Sequence, residues 1–261
     1  MADESVGRIV SGVDDRGVAT LVLSNPARRN AITGRMRRAI EQLLEEWEED
    51  STVRVVVASG EGGRSFCSGL DLAEEASREH RDLAQDLRRF WGAWQRFTKP
   101  VIARIEGHCI GGGVLTALHA DLRYCSQESI FSIPAARLGL PFGFDSAQPV
   151  VEAIGRARAT ELVLTARSFD AQDALRLGLV SQVVPAEELA SVVDQLAADI
   201  AENAPLTVRA AKAGIREAAR DAGDRDLAAV DRFVAAARSS QDLLEGRAAR
   251  RERRAPRFEG K

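Results

Sequence analysis

Twice in this chain an apolar, β-branched run leads straight into a glycine-rich loop and then into a helical pattern, and that order commits it to an α/β fold. The first instance is VRVVVAS at 53–59, followed by GEGGRSFCSGLDLAEE at 60–75. The second is the apolar run at 101–105, followed by glycines at 107, 111, 112 and 113 and a helical pattern over 114–120. Near-continuous apolar strands of this kind are buried on both faces. Glycine lets the backbone turn sharply and approach a partner closely. A helix start also leaves N–H donors unpaired, so the second loop suits two roles: a close-packed turn, or a cradle for an oxygen that carries or develops negative charge. Its spacing matches neither the dinucleotide nor the Walker pattern.

The remaining elements follow from periodicity and punctuation. Two β-rich runs within 8–23 flank Asp14-Asp15-Arg16-Gly17, a hairpin by turn chemistry. Thr33 is placed to cap a helix whose Met36, Ile40, Leu43, Leu44 and Trp47 share one face. A second amphipathic helix spans 81–97 with a core stripe of Leu83, Leu87, Phe90, Trp91 and Trp94, closed by Lys99-Pro100. Short strands are expected at 122–125 and 130–133, a loop at 137–144, and helices at 146–153, with Pro149 in the first turn, and at 157–165. Asp170 and Asp173 form a capping arrangement for a helix that stops at Gly178, and LVSQVVP returns as a strand. Helices are then expected at 186–202, 206–220 and 227–244. The expected division is a core over 1–200 and a helical C-terminal region over 201–261.

At 261 residues, a net charge of -3 argues against nucleic-acid binding, although the stretch 247–257 is locally basic. Three irregularly spaced cysteines, Cys67, Cys109 and Cys125, make neither a disulfide framework nor a metal site. They fit a reducing cytoplasm, and the chain shows no export signal and no apolar run near the roughly 20 residues that span a membrane.

Three stretches together resemble the crotonase (enoyl-CoA hydratase/isomerase) superfamily: NPARRNAIT at 25–33, SFCSGLDLAE at 65–74 and KPVIARIEGHCIGGG at 99–113. RSFDAQDALRLGLVSQVVP at 167–185 and EGRAARRERRAPRF at 245–258 extend the resemblance over nearly the whole chain. It implies a crotonase-like spiral of ββα units with a C-terminal helical trimerisation region, giving a homotrimer or a hexamer built as a dimer of trimers. It implies an acyl-CoA ligand, with CoA part of the substrate and no separate cofactor or metal. The oxyanion-hole N–H groups fall on Leu70 and Gly112. The backbone around Ser68, Leu70 and Leu72 receives the adenine end of CoA, Arg28 and Arg29 approach its phosphates, and Arg253 stands where a neighbouring subunit's cation meets CoA. Arg250 occupies a position where an aromatic is common.

The two glutamates with which hydratases of this family activate water fall on Leu115 and Ala135, so both carboxylates are absent. Proton transfer, such as double-bond isomerisation through an enolate, is therefore expected ahead of hydration; the alternative is a non-catalytic acyl-CoA-binding homologue. Asp145 is the candidate base, its pKa raised by flanking Phe142 and Phe144, or else it caps a helix starting at Ser146. His119, four residues after Leu115, is a secondary acid/base candidate or a buried, hydrogen-bonded histidine. His80 reads as solvated, Cys67 as a packed thiol, and Asp71 and Glu74 as helix-start acids.

Overall fold

A computed structural model describes residues 7–75 and 80–261. In chain order the elements are β1 (Arg8–Val13), β2 (Val18–Ser24), α1 (Gly34–Glu49), β3 (Val55–Gly60), β4 (Ser65–Cys67), α2 (Leu72–Glu75), α3 (His80–Arg96), β5 (Val101–Ile105), β6 (His108–Ile110) and α4 (Gly112–Leu118). There follow β7 (Leu122–Ser126), β8 (Ile130–Ser132), α5 (Ala135–Leu138), α6 (Phe144–Thr165), β9 (Phe169–Asp170), α7 (Ala171–Leu177), β10 (Gln182–Val184), α8 (Ala186–Ala201), α9 (Pro205–Ala218), α10 (Leu227–Ser239) and α11 (Gln241–Glu252).

A six-stranded sheet has the order β1-β2-β3-β5-β7-β10, with the β1–β2 hairpin antiparallel and every other pair parallel. A four-stranded sheet has the order β4-β6-β8-β9. The chain visits the first sheet, then the second, then a helix, and repeats: β3-β4-α2/α3, β5-β6-α4, β7-β8-α5/α6. This is the expected spiral of ββα units. The alternation of β3 explains how the first sheet is covered on both sides, since successive side chains point to opposite faces. Val55 and Val57 pack with Leu189, Val193 and Ala197 of α8, whereas Val56 joins the main core with Leu21, Ile40, Phe66 and Phe90.

Local signals worked well for caps. Thr33 accepts from the Met36 N–H at 3.2 Å, and Asp170 accepts from the Asp173 N–H at 2.7 Å with Gly178 closing α7 in the left-handed region. Several expectations need correction. Both glycine loops contain a three-residue strand, β4 and β6, whose pairing partners lie far away in sequence. The start of the expected loop at 137–144 is helical, ending at Gly139 with φ 65°. The helices around Pro149 run from Phe144 to Thr165 with a break at Gly155 (φ 75°, ψ 160°), so Pro149 lies in the second turn. The single helix expected over 227–244 is two, because Ser240 is extended and its hydroxyl caps α11 by accepting from the Leu243 N–H. The reading of the His80 side chain lies outside the described residues.

The boundary at 200/201 falls at the last residue of α8. Beyond it α9 is tied to the core by Arg209–Glu48, Lys212–Asp121 at 2.8 Å, and Lys212 Nζ donating to the Lys99 carbonyl at 2.8 Å. No helix among the described residues is long and apolar enough to cross a membrane.

The loop before α1 is held by Asn30, which is 1% exposed and sits at φ 59°, a conformation asparagine tolerates. Its side chain accepts from the Asn25 N–H at 3.0 Å and donates to the Glu61 and Ser65 carbonyls at 3.0 and 2.7 Å. Removing it leaves buried backbone groups unpaired. Asn30→Ala is expected to cost about 2–3 kcal/mol, read as a lower urea midpoint at unchanged m-value.

Candidate active site

Asn30 lays the 25–33 loop against the chain leaving β4. Ile32 N–H donates to the Gly69 carbonyl at 2.8 Å and Asp71 N–H donates to the Ile32 carbonyl at 3.0 Å, an isolated parallel bridge between Ile32 and Leu70. In a bridge of this kind the N–H of Leu70 itself faces away from Ile32. Ser65 Oγ donates to the Arg29 and His108 carbonyls, and Ser68 Oγ donates to the Arg28 carbonyl at 2.8 Å.

On the other side, Gly111 (φ 55°) turns the chain from β6 into α4, with Gly112 as first residue and its N–H among those with no intrahelical acceptor. The two loops nearly touch. A Cβ on Gly113 would lie 2.4 Å from the Cys67 carbonyl oxygen, one on Gly112 would lie 3.1 Å from the Leu70 nitrogen, and one on Gly69 would lie 3.4 Å from the Gly112 nitrogen. Glycine at these positions is therefore a packing requirement as well as a conformational one.

The Leu70 and Gly112 loops open onto a cavity of about 150 Å³. Ser68, Leu70, Leu72 and Gly112 line it together with Trp91, Leu115, Ile133, Ala135, Leu138, Leu140, Phe142 and Ser146. Among the described residues, no side chain of the lining is ionisable. A backbone donor pair at the head of an apolar cavity can polarise a carbonyl oxygen in a dry setting, where such interactions are strongest.

A profile of the enoyl-CoA hydratase/isomerase family matches residues 14–261. The chain belongs to that family. Within it, the chain is 31% identical over 245 residues to a 2,3-dehydroadipyl-CoA hydratase from Escherichia coli, covering 94% of this chain and 96% of that protein. It is 33% identical over 250 residues to a carnitinyl-CoA dehydratase from Proteus mirabilis, covering 94% and 95% of the two chains. The fold matches the crystal structure of an enoyl-CoA hydratase from Bacillus anthracis with a TM-score of 0.87 at 28% identity, over 97% of this chain and 100% of that one.

In this enoyl-CoA hydratase/isomerase family member Leu115 and Ala135, 8% and 9% exposed, both face the cavity beside the two glycine loops. The other candidate residues are dispersed. Asp145 lies outside the lining, its side chain 61% exposed and 4.0 Å from the Arg88 guanidinium. Phe142 lines the cavity, but Phe144 is 76% exposed, so the expected pair of desolvating rings does not form around Asp145. Nor does Asp145 cap a helix at Ser146: Gly143 is the N-cap, and Asp145 is inside the first turn, a favourable place for an acid near the helix start.

His119 lies behind Trp91, ring centroids 5.1 Å apart, and borders a separate groove with Asp121 and Lys212. Burial pushes its pKa down to about 4. Cys67 is fully buried and its thiol is pushed up to about 12 by burial, so at neutral pH it is no thiolate. Arg28 is half-exposed and pairs with Asp71 at 3.2 Å, while the Arg29 backbone is left-handed (φ 52°) and the residue is exposed. Arg253 closes α11 in the left-handed region and lies outside the lining.

Sequence reasoning missed that Trp91, assigned to a core stripe, also walls the cavity. It also missed that Glu74 accepts from the Gly34 N–H at 2.8 Å, covering the start of α1 from 40 residues away. The only sequence signal for Trp91 was its place on the first buried helix after a glycine loop.

The low pKa of His119 sets a pH dependence. The unfolded chain, with an ordinary value near 6.5, takes up this proton before the folded chain does. The His119 contribution to stability is therefore complete above about pH 6.5 and is lost as pH falls toward 4. The drop in urea midpoint between pH 7 and pH 5 is expected to be smaller in His119→Gln than in the parent chain.

Proposed function

We propose that this chain binds an acyl-CoA thioester, with its carbonyl oxygen between the N–H groups of Leu70 and Gly112, and moves a proton on the acyl chain through the enolate so formed. The observation that carries this reading is the near contact of the two loops at the head of a cavity walled by Leu115 and Ala135. Each donor of such a pair stabilises developing oxyanion charge by about 3 kcal/mol. CoA is read as lying against the backbone from Ser68 to Leu72, with its phosphates near Arg28 and Arg29, whose guanidinium groups suit phosphate oxygens. No cofactor is required beyond the CoA of the substrate. The proposed assembly is a homotrimer or a dimer of trimers in the cytoplasm, built through the helices of 201–261, with Arg253 reaching a neighbour's CoA.

In the isomerisation reading, Asp145 turns from Arg88 across Ser146 to the mouth of the cavity. It takes the Cα proton of a 3-enoyl thioester, the electron pair delocalises onto the carbonyl oxygen as a dienolate, and the same carboxyl returns the proton to C4 to leave the 2-enoyl product. A second reading, a binding protein without turnover, is favoured by the absence of any ionisable side chain from the described lining.

With no carboxylate at Leu115 or Ala135 to orient and activate water, hydration of crotonyl-CoA is expected not to rise above the buffer rate, followed as loss of enoyl absorbance. Robust turnover overturns the assignment of those two positions. Asp145→Asn is expected to lower 3-enoyl-CoA isomerisation by at least about 100-fold while leaving acyl-CoA binding unchanged in calorimetry. Parent protein that binds the thioester but returns it unaltered by mass spectrometry selects the second reading.

A further inference from the structure

Resting on the reading of the cavity as an acyl-CoA site, we infer that the acyl group it accepts is apolar to its far end and carries no distal charge. Two independent observations point there. The first is the wall itself: Trp91, Leu115, Ile133, Ala135, Leu140 and Phe142 surround the space, and the only hydroxyls in the described lining are those of Ser68 and Ser146. Ser68 has already committed its hydroxyl proton to the Arg28 carbonyl. A charged acyl group placed there loses its water and, among the described lining, meets no countercharge and at most the Ser146 hydroxyl, a cost that an apolar group does not meet.

The second is the rim. Leu72, Leu138 and Leu140 belong to the lining and yet are 46%, 53% and 41% exposed. Among the described residues these side chains keep much of their surface open, and apolar surface continuous with a binding cavity is what an apolar ligand would remove from water. A cavity of about 150 Å³ takes a group about the size of a benzene ring. The carbons beyond that length would run along this rim.

The Escherichia coli relative is named for a dicarboxylic acyl thioester, 2,3-dehydroadipyl-CoA. A site for such a group is expected to hold a cation for the far carboxylate. The described lining of this chain has none, so the inference separates it from that substrate despite 31% identity. Leu138 is the position where a cation would meet the end of a six-carbon acyl group, being at the mouth and already half in solvent.

The test compares hexanoyl-CoA with adipyl-CoA, equal in carbon count and differing at the terminal carbon, with free CoA as baseline, by calorimetry on the full chain. Hexanoyl-CoA is expected to bind at least about tenfold tighter than adipyl-CoA, a gap kept modest because a carboxylate at the mouth can turn back toward water. Leu138→Arg is expected to narrow that gap by at least about threefold through tighter adipyl-CoA binding, and a gap unchanged in this variant overturns the placement of the acyl end at Leu138. A parent gap below tenfold overturns the inference. If both thioesters bind no better than free CoA, the acyl selectivity fails while the CoA site stands. If free CoA and both thioesters fail to bind, the underlying reading falls with it.

Discussion

The contact between the Cys67–Leu70 and Gly111–Gly113 loops is the constraint on which the rest of the site depends. The backbone at Gly113 lies so close to the Cys67 carbonyl that any side chain there would sit 2.4 Å from it. That approach is possible because β4 and β6 are adjacent parallel strands, which deliver their following loops to the same edge of the second sheet. Parallel pairing aligns the exits of strands that are far apart in sequence, and the ββα repeat makes such alignment recur along the sheet. The 25–33 loop then buttresses the first of the two loops through the Ile32–Leu70 bridge, and Asn30 anchors that loop in turn. The two loops are thus held by strand pairing, by the Ile32–Leu70 bridge and by the buried Asn30 side chain, which together fix the directions of their backbone N–H groups in advance.

Around these two loops the cavity wall is hydrocarbon. Leu115 and Ala135 occupy the walls, and the titratable groups nearest in sequence are turned elsewhere. Asp145 faces Arg88 at the surface, His119 is behind the Trp91 ring, and Asp71 is engaged with Arg28 and with the N–H of Ala73. An apolar wall of this kind strengthens the polarisation of a carbonyl, because its lining offers few competing dipoles. It also leaves the acid–base half of any reaction to a group that enters from the rim.

Much of the secondary structure was legible because the information is local. The β1–β2 hairpin follows from its turn residues, the starts of α1 and α7 from Thr33 and Asp170, and the buried central strands from their unbroken apolar runs. The three-residue strands β4 and β6 carry no periodicity long enough to read, and only their neighbours in the sheet make them strands. The break at Ser240 was overlooked because the apolar pattern continues through it, while its hydroxyl finds the Leu243 N–H and starts a new helix. The expected enclosure of Asp145 by two rings does not form because neighbours in sequence need not share surroundings in space: at a helix start only Phe142 reaches the cavity, while Phe144 is exposed.

By itself the sequence determined the resemblance to the family, the repeated order of apolar strand, glycine loop and helix, the positions of the glycines and the residues at 115 and 135, since each is a matter of residue identity or local pattern. Tertiary structure alone decided that the Leu70 and Gly112 loops come into near contact, that Trp91 and Leu138 share a cavity with Leu115 and Ala135, and that Asp145 and His119 stand outside it. These depend on how strands 40 residues apart pair and on which way a side chain faces once packed. Spacing along a chain fixes neither, because the energies that select them come from contacts between segments and not within them.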